Sequence, residues 1–98
     1  GMAPMPEALP KDPPVDAPTE DKIAFYEKRL EQAVRLRDTR KKFVERLPEV
    51  QARVESSPNP DEGMKAFEKR KAIVEDNYAK AQADVEDLEK KLAELRGS

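Results

Sequence analysis

The sequence predicts an all-α fold: an antiparallel two-helix coiled-coil hairpin that dimerises into a four-helix bundle and carries a disordered, proline-rich N-terminal tail. Three observations predict it. Apolar residues recur at heptad spacing through two long segments. A short turn signal, SSPNPDEG at 56–63, separates those segments, and six of the nine prolines crowd into residues 1–18. No alternating apolar–polar run of the kind that marks a strand occurs in the 98 residues.

The tail comes first. Residues 1–18 hold Pro4, Pro6, Pro10, Pro13, Pro14 and Pro18. Prolines this dense remove backbone donors and fix φ, so neither a helix nor a sheet ladder is expected. The few apolar residues (Met2, Met5, Leu9, Val15) offset little of the entropy of ordering. No PxxP core flanked by arginine stands out, which argues against a ligand for an aromatic-lined groove. Gly1 before Met2 reads as a residue left by tag removal and Gly97-Ser98 as an added end, so neither enters the fold argument.

The hairpin is expected over residues 19–97, with helices near 20–56 and 60–96. Thr19 is the expected N-cap of the first helix, and Glu20 and Asp21 place negative charge where the helix dipole favours it. Pro48 removes the bond to the Val44 carbonyl, so a kink is expected there. The alternative is a break near Leu47 followed by a short separate helix. Asn59 is the expected N-cap of the second helix, with Pro60 at its first position and Asp61 and Glu62 behind it. Gly97 is expected to stop it.

The two heptads meet when the chain folds back. In the first helix the a positions are Ile23, Leu30, Arg37, Val44 and Gln51; the d positions are Tyr26, Ala33, Arg40, Leu47 and Val54. In the second, a falls on Met64, Lys71, Tyr78, Val85 and Leu92, and d on Phe67, Val74, Ala81, Leu88 and Leu95. Pairing residues symmetrically about Asn59 sets every a opposite a d, from Val54–Met64 beside the turn to Ile23–Leu95 at the open end. The four open-end layers are apolar apart from the Tyr26 hydroxyl. Nearer the turn, Arg37, Arg40, Lys71 and Gln51 interrupt the seam, their stems lying across neighbours and their charges turned outward.

One apolar column is left over. Leu36, Phe43 and Val50 recur at g, facing Asp84, Asn77 and Arg70 across the seam, and Ile73 with Ala66 and Ala72 adds apolar surface near the same end. With Leu47 these make a face too wide for one neighbouring helix. The expected protein interface is therefore Leu36, Phe43, Leu47, Val50 and Ile73. A second copy is its expected occupant, in a bundle centred on Phe43 that also shelters the Pro48 kink; a different helical protein and local repacking are the alternatives. The general form resembles coiled-coil hairpins that serve as stalks, spacers and assembly modules.

Composition narrows the chemistry. Charged residues make up 41% of the chain, yet 19 Lys+Arg against 21 Asp+Glu leave only −2, so the total points to neither nucleic acid nor membrane. Cysteine and histidine are absent, which removes disulfides, thiolate or imidazole metal ligands and imidazole-based catalysis. No base is evident for any hydroxyl, and the carboxylate pairs Glu27–Glu31 and Asp84–Asp87 read as solvated faces; no enzyme, cofactor or metal is expected. The basic run 35–42 offers Arg35, Arg37, Arg40, Lys41 and Lys42 as candidate polyanion ligands. Charge pairing with Asp76, Asp84, Glu86, Asp87 and Glu89 on the other helix is the simpler expectation. The expected function is thus a non-enzymatic structural, assembly or adaptor module acting through coiled-coil contacts. Polyanion or nucleic-acid binding, and a fragment of a longer coiled-coil protein, are the alternatives. With neither a basic-then-apolar leader nor an apolar stretch of about 18 residues, a cytoplasmic protein is expected.

Overall fold

The computed structural model describes residues 12–97. Residues 1–11, which hold most of the expected proline-rich tail, and residue 98 lie outside the described part. Two helices, α1 (Thr19–Glu55) and α2 (Pro60–Gly97), pack against each other as a hairpin, and no strand occurs among the described residues. Cross-helix contacts fix the antiparallel sense. The Arg96 guanidinium donates to Glu27 at 2.9 Å, Arg37 to the Gln82 side chain at 3.4 Å, and the Lys91 ammonium sits 5.2 Å from the centre of the Tyr26 ring.

Burial follows the heptad. Every a and d residue named above, in both helices, is buried or half-buried. The core lies at the open end, where Tyr26, Ala33, Val85, Leu88 and Leu92 form one cluster and Ile23, Leu30 and Leu95 pack on it. Two residues off the seam join them: Val34, and Phe25, whose ring meets Tyr26 edge-on at 5.5 Å. Towards the turn only Phe67 and Ala81 are buried, and even the apolar layers Val44–Val74 and Val54–Met64 are half-buried. The helix pair is therefore better packed at one end than at the other.

The first cap differs from the sequence expectation. Thr19 is the first residue of α1 rather than its N-cap; Pro18 takes that place, with no side-chain hydrogen bond. The chain turns just before it, Ala17 N–H donating to the Pro14 carbonyl at 3.1 Å, and reaches Pro18 already extended (φ −58°, ψ 152°). The Pro18 carbonyl then accepts from Asp21 and Lys22 N–H, both at 3.0 Å. Glu20 and Asp21 keep their place in the first turn.

α1 runs without a break through Pro48, so the separate short helix beyond Leu47 does not form. Pro48 is exposed and occupies e, on the opposite long edge of the hairpin from the g column of Phe43. A neighbour seated on Phe43 would therefore not shelter it. At the turn, the Ser57 hydroxyl donates to the Val54 carbonyl at 2.6 Å, Ser56 N–H reaches the Ala52 carbonyl, and the Asn59 carbonyl takes Gly63 N–H at 3.3 Å. The helix ends come close here. A Cβ on Gly63 would lie 2.9 Å from Val54 Cγ1.

Candidate interaction surface

The hairpin has two long edges, and they differ. The e positions of α2 carry Glu68, Glu75, Gln82, Glu89 and Arg96, and those of α1 include Glu27, Lys41 and Glu55. Apart from half-buried Val34 and the exposed Pro48, that edge is polar and mostly charged. On the other edge the g positions of α1 present Leu36, Phe43 and Val50, exposed by 48%, 48% and 37%. Ile73, at 61%, occupies c of α2, the helix position beside g, and so flanks the same edge. With Val15 of the N-terminal segment, these are the exposed large apolar side chains among the described residues. Leu47, named with them from the sequence, lies half-buried in the seam, where it backs the column.

The basic run does not form one stripe. Arg35 and Lys42 fall at f, facing away from α2; Arg37 and Arg40 are half-buried at a and d; Lys41 lies at e. Nor does the run pair with the acidic residues of α2, as the sequence suggested. Arg35 pairs with Glu31 at 2.6 Å and Arg37 with Asp38 at 3.2 Å, both on α1, while Asp76 takes Lys80 of its own helix at 2.9 Å. Arg35–Glu31 and Asp76–Lys80 are four residues apart on one helix and meet without spanning the seam, Arg37 takes its sequence neighbour, and that shorter reach decides the partners. These pairs are exposed for the most part and add little stability.

A second feature escaped the sequence reading. Residues 12–18 lie against the open end of the hairpin, where the Tyr26 hydroxyl donates to Asp12 Oδ1 at 3.2 Å and Lys91 Nζ stands 3.6 Å from the same oxygen. The Lys91 ammonium is held above its ordinary value of 10.5. The electrostatic influence of the neighbouring Tyr26 is the largest cause, partial burial pulls the other way, and the Asp12 carboxylate adds to the rise. An open cleft of about 470 Å³ lies between this segment and the helices, lined by residues such as Pro14, Val15, Lys22 and Leu95. Among the described residues no group of three or more acidic side chains is placed to hold a metal ion. The one signal that pointed here was Tyr26 itself, a tyrosine at a buried seam position whose hydroxyl needs a partner.

No described helix is long and apolar enough to cross a membrane. Neither a family model, nor a curated protein, nor a solved structure matches the chain.

Proposed function

We propose that the chain is a non-enzymatic assembly or adaptor module that acts through coiled-coil contacts, and that its working surface is the edge built by Leu36, Phe43, Val50 and Ile73. One observation supports this reading above the rest. The hairpin buries or half-buries its whole heptad seam, yet leaves four large apolar side chains 37–61% exposed on a single edge. Surface apolar residues scattered singly need no explanation; an aligned set that is absent from the opposite edge does. The occupant we infer is a second copy, giving a homodimer and a four-helix bundle over the turn-proximal half. That half has the thinner core and gains most from a partner.

The test is molar mass by light scattering or sedimentation. Phe43 stands at the middle of the column and is half exposed, so burying the rest of it is worth about 1 kcal/mol per copy. Phe43→Ala is then expected to weaken the dimer about thirtyfold. Phe43→Glu is expected to leave monomers that remain as helical as the wild type. A wild-type monomer at concentrations on the order of tens of micromolar would overturn the self-association reading. Binding to nucleic acid that falls steeply as salt rises would favour the basic run instead.

A further inference from the structure

The charges bordering the apolar edge specify how a second copy would sit on it. Across the seam Leu36 lies level with Asp84, Phe43 with Asn77, and Val50 with Arg70. The edge is therefore polarised along its length. Around Val50 stand Arg46, Arg53 and Arg70; around Leu36, on the α2 side, stand Asp84 and Asp87, and all five are exposed. Arg53 pairs with Glu49 at 2.9 Å, but Arg46, Arg70, Asp84 and Asp87 make no ion pair among the described residues. Lys80, which lies between the two ends, is paired with Asp76 on its own helix.

Two hairpins stacked edge to edge with two-fold symmetry have two arrangements open to them. If the axis runs along the hairpins, each α1 covers the other copy's α2 at the same level. Leu36 then meets Asp84, Phe43 meets Asn77, and Val50 meets Arg70, so every apolar member of the column is pressed against a polar one. If the axis crosses the hairpins at the level of Phe43, α1 covers α1 and α2 covers α2, with opposite senses. Phe43 then meets Phe43, Leu36 meets Val50, and Asp84 of each copy lies opposite Arg70 of the other.

We propose that a second copy of this chain docks in the crossed, antiparallel arrangement, with Phe43 on the two-fold axis and two reciprocal Asp84–Arg70 pairs between copies. This rests on the self-association reading above and adds the orientation. The α1 apolar column is matched to itself and acid to base at once, with Ile73 falling opposite Lys80 of the other copy; the other arrangement matches neither the column nor the charges. Electrostatic complementarity of this kind sets register and rejects the wrong alignment more than it adds raw affinity.

The test uses the full chain with Arg70→Asp, Asp84→Arg and the two combined, each followed by sedimentation equilibrium. Arg70 and Asp84 are four turns apart on α2, too far to interact within one copy. Each single variant turns two attractions into two repulsions, and its dimer dissociation constant is expected to rise about tenfold. The combined variant restores both pairs with signs exchanged and is expected to return within about threefold of the wild type. Additive losses in the combined variant would overturn the orientation while leaving dimerisation intact. A wild-type chain that stays monomeric would overturn the reading beneath it, and the orientation with it.

Discussion

Removing the Leu92 side chain tests whether the open end carries the stability of the hairpin. Leu92 is 1% exposed and packs in one cluster with Tyr26, Ala33, Val85 and Leu88. Leu→Ala at such a site costs the transfer energy of the lost atoms plus the cavity left behind, about 2–5 kcal/mol. Ile23 and Leu95 are only half-buried at the helix ends and can relax inward, so the middle of that range, about 3 kcal/mol, is expected. In a domain this small each kcal/mol moves Tm by about 4–8 °C, which predicts a fall of about 12–24 °C. Leu47→Ala is the comparison. Leu47 is half-buried and faces Lys71, so its loss is expected at about 1–2 kcal/mol. Urea and thermal unfolding followed by circular dichroism measure both, at several protein concentrations, because association shifts apparent stability. A Leu92→Ala loss below about 0.5 kcal/mol, or one smaller than that of Leu47→Ala, would refute the uneven core.

Tyr26→Phe removes the hydroxyl that holds Asp12. The carboxylate left behind is 69% exposed and rehydrates, so stability is expected to fall by only about 0.5 kcal/mol, while the Ala17 amide, bonded to Pro14, exchanges faster with solvent. Gly63→Ala gains about 1 kcal/mol in helix propensity. The new methyl meets Val54 at 2.9 Å, and crowding of about 1–3 kcal/mol is expected to make the change destabilising in urea titrations. In a Val54→Ala background, Gly63→Ala is expected to stabilise. A lysine whose folded value is raised lends stability that is present at neutral pH and lost as pH rises through that raised value. Lys91→Met is therefore expected to lower Tm slightly at pH 7, and the difference is expected to vanish as pH rises past the ordinary lysine value of 10.5 and through the raised one.

The paired helices were legible because their register repeats. From Ile23 to Val54 and from Met64 to Leu95 each seam position reports the same local requirement, and burial along both helices follows it. Leu36, Phe43, Val50 and Ile73 were legible for the complementary reason: apolar side chains that the seam does not use are left in water. What the sequence hid lacks a period. The contact of Asp12 with Tyr26 and Lys91 joins a proline-rich segment to a helix face through one turn, and no local pattern encodes it. The choice of Pro18 over Thr19 as the N-cap of α1 depends on the same turn. Ion-pair partners were misjudged because matching height across the seam counted for less than the shorter reach along one helix, as Lys80–Asp76 and Arg35–Glu31 show.

Sedimentation equilibrium of the unmodified chain, run beside Phe43→Glu over a wide concentration range, tests the central claim most directly. Self-association through the Leu36–Phe43–Val50 edge predicts a wild-type mass approaching twice the 11.1 kDa of one chain, with the variant remaining at one chain and retaining its helicity. A wild type that stays at one chain's mass throughout, or a Phe43→Glu chain that dimerises as well as the wild type, would contradict it.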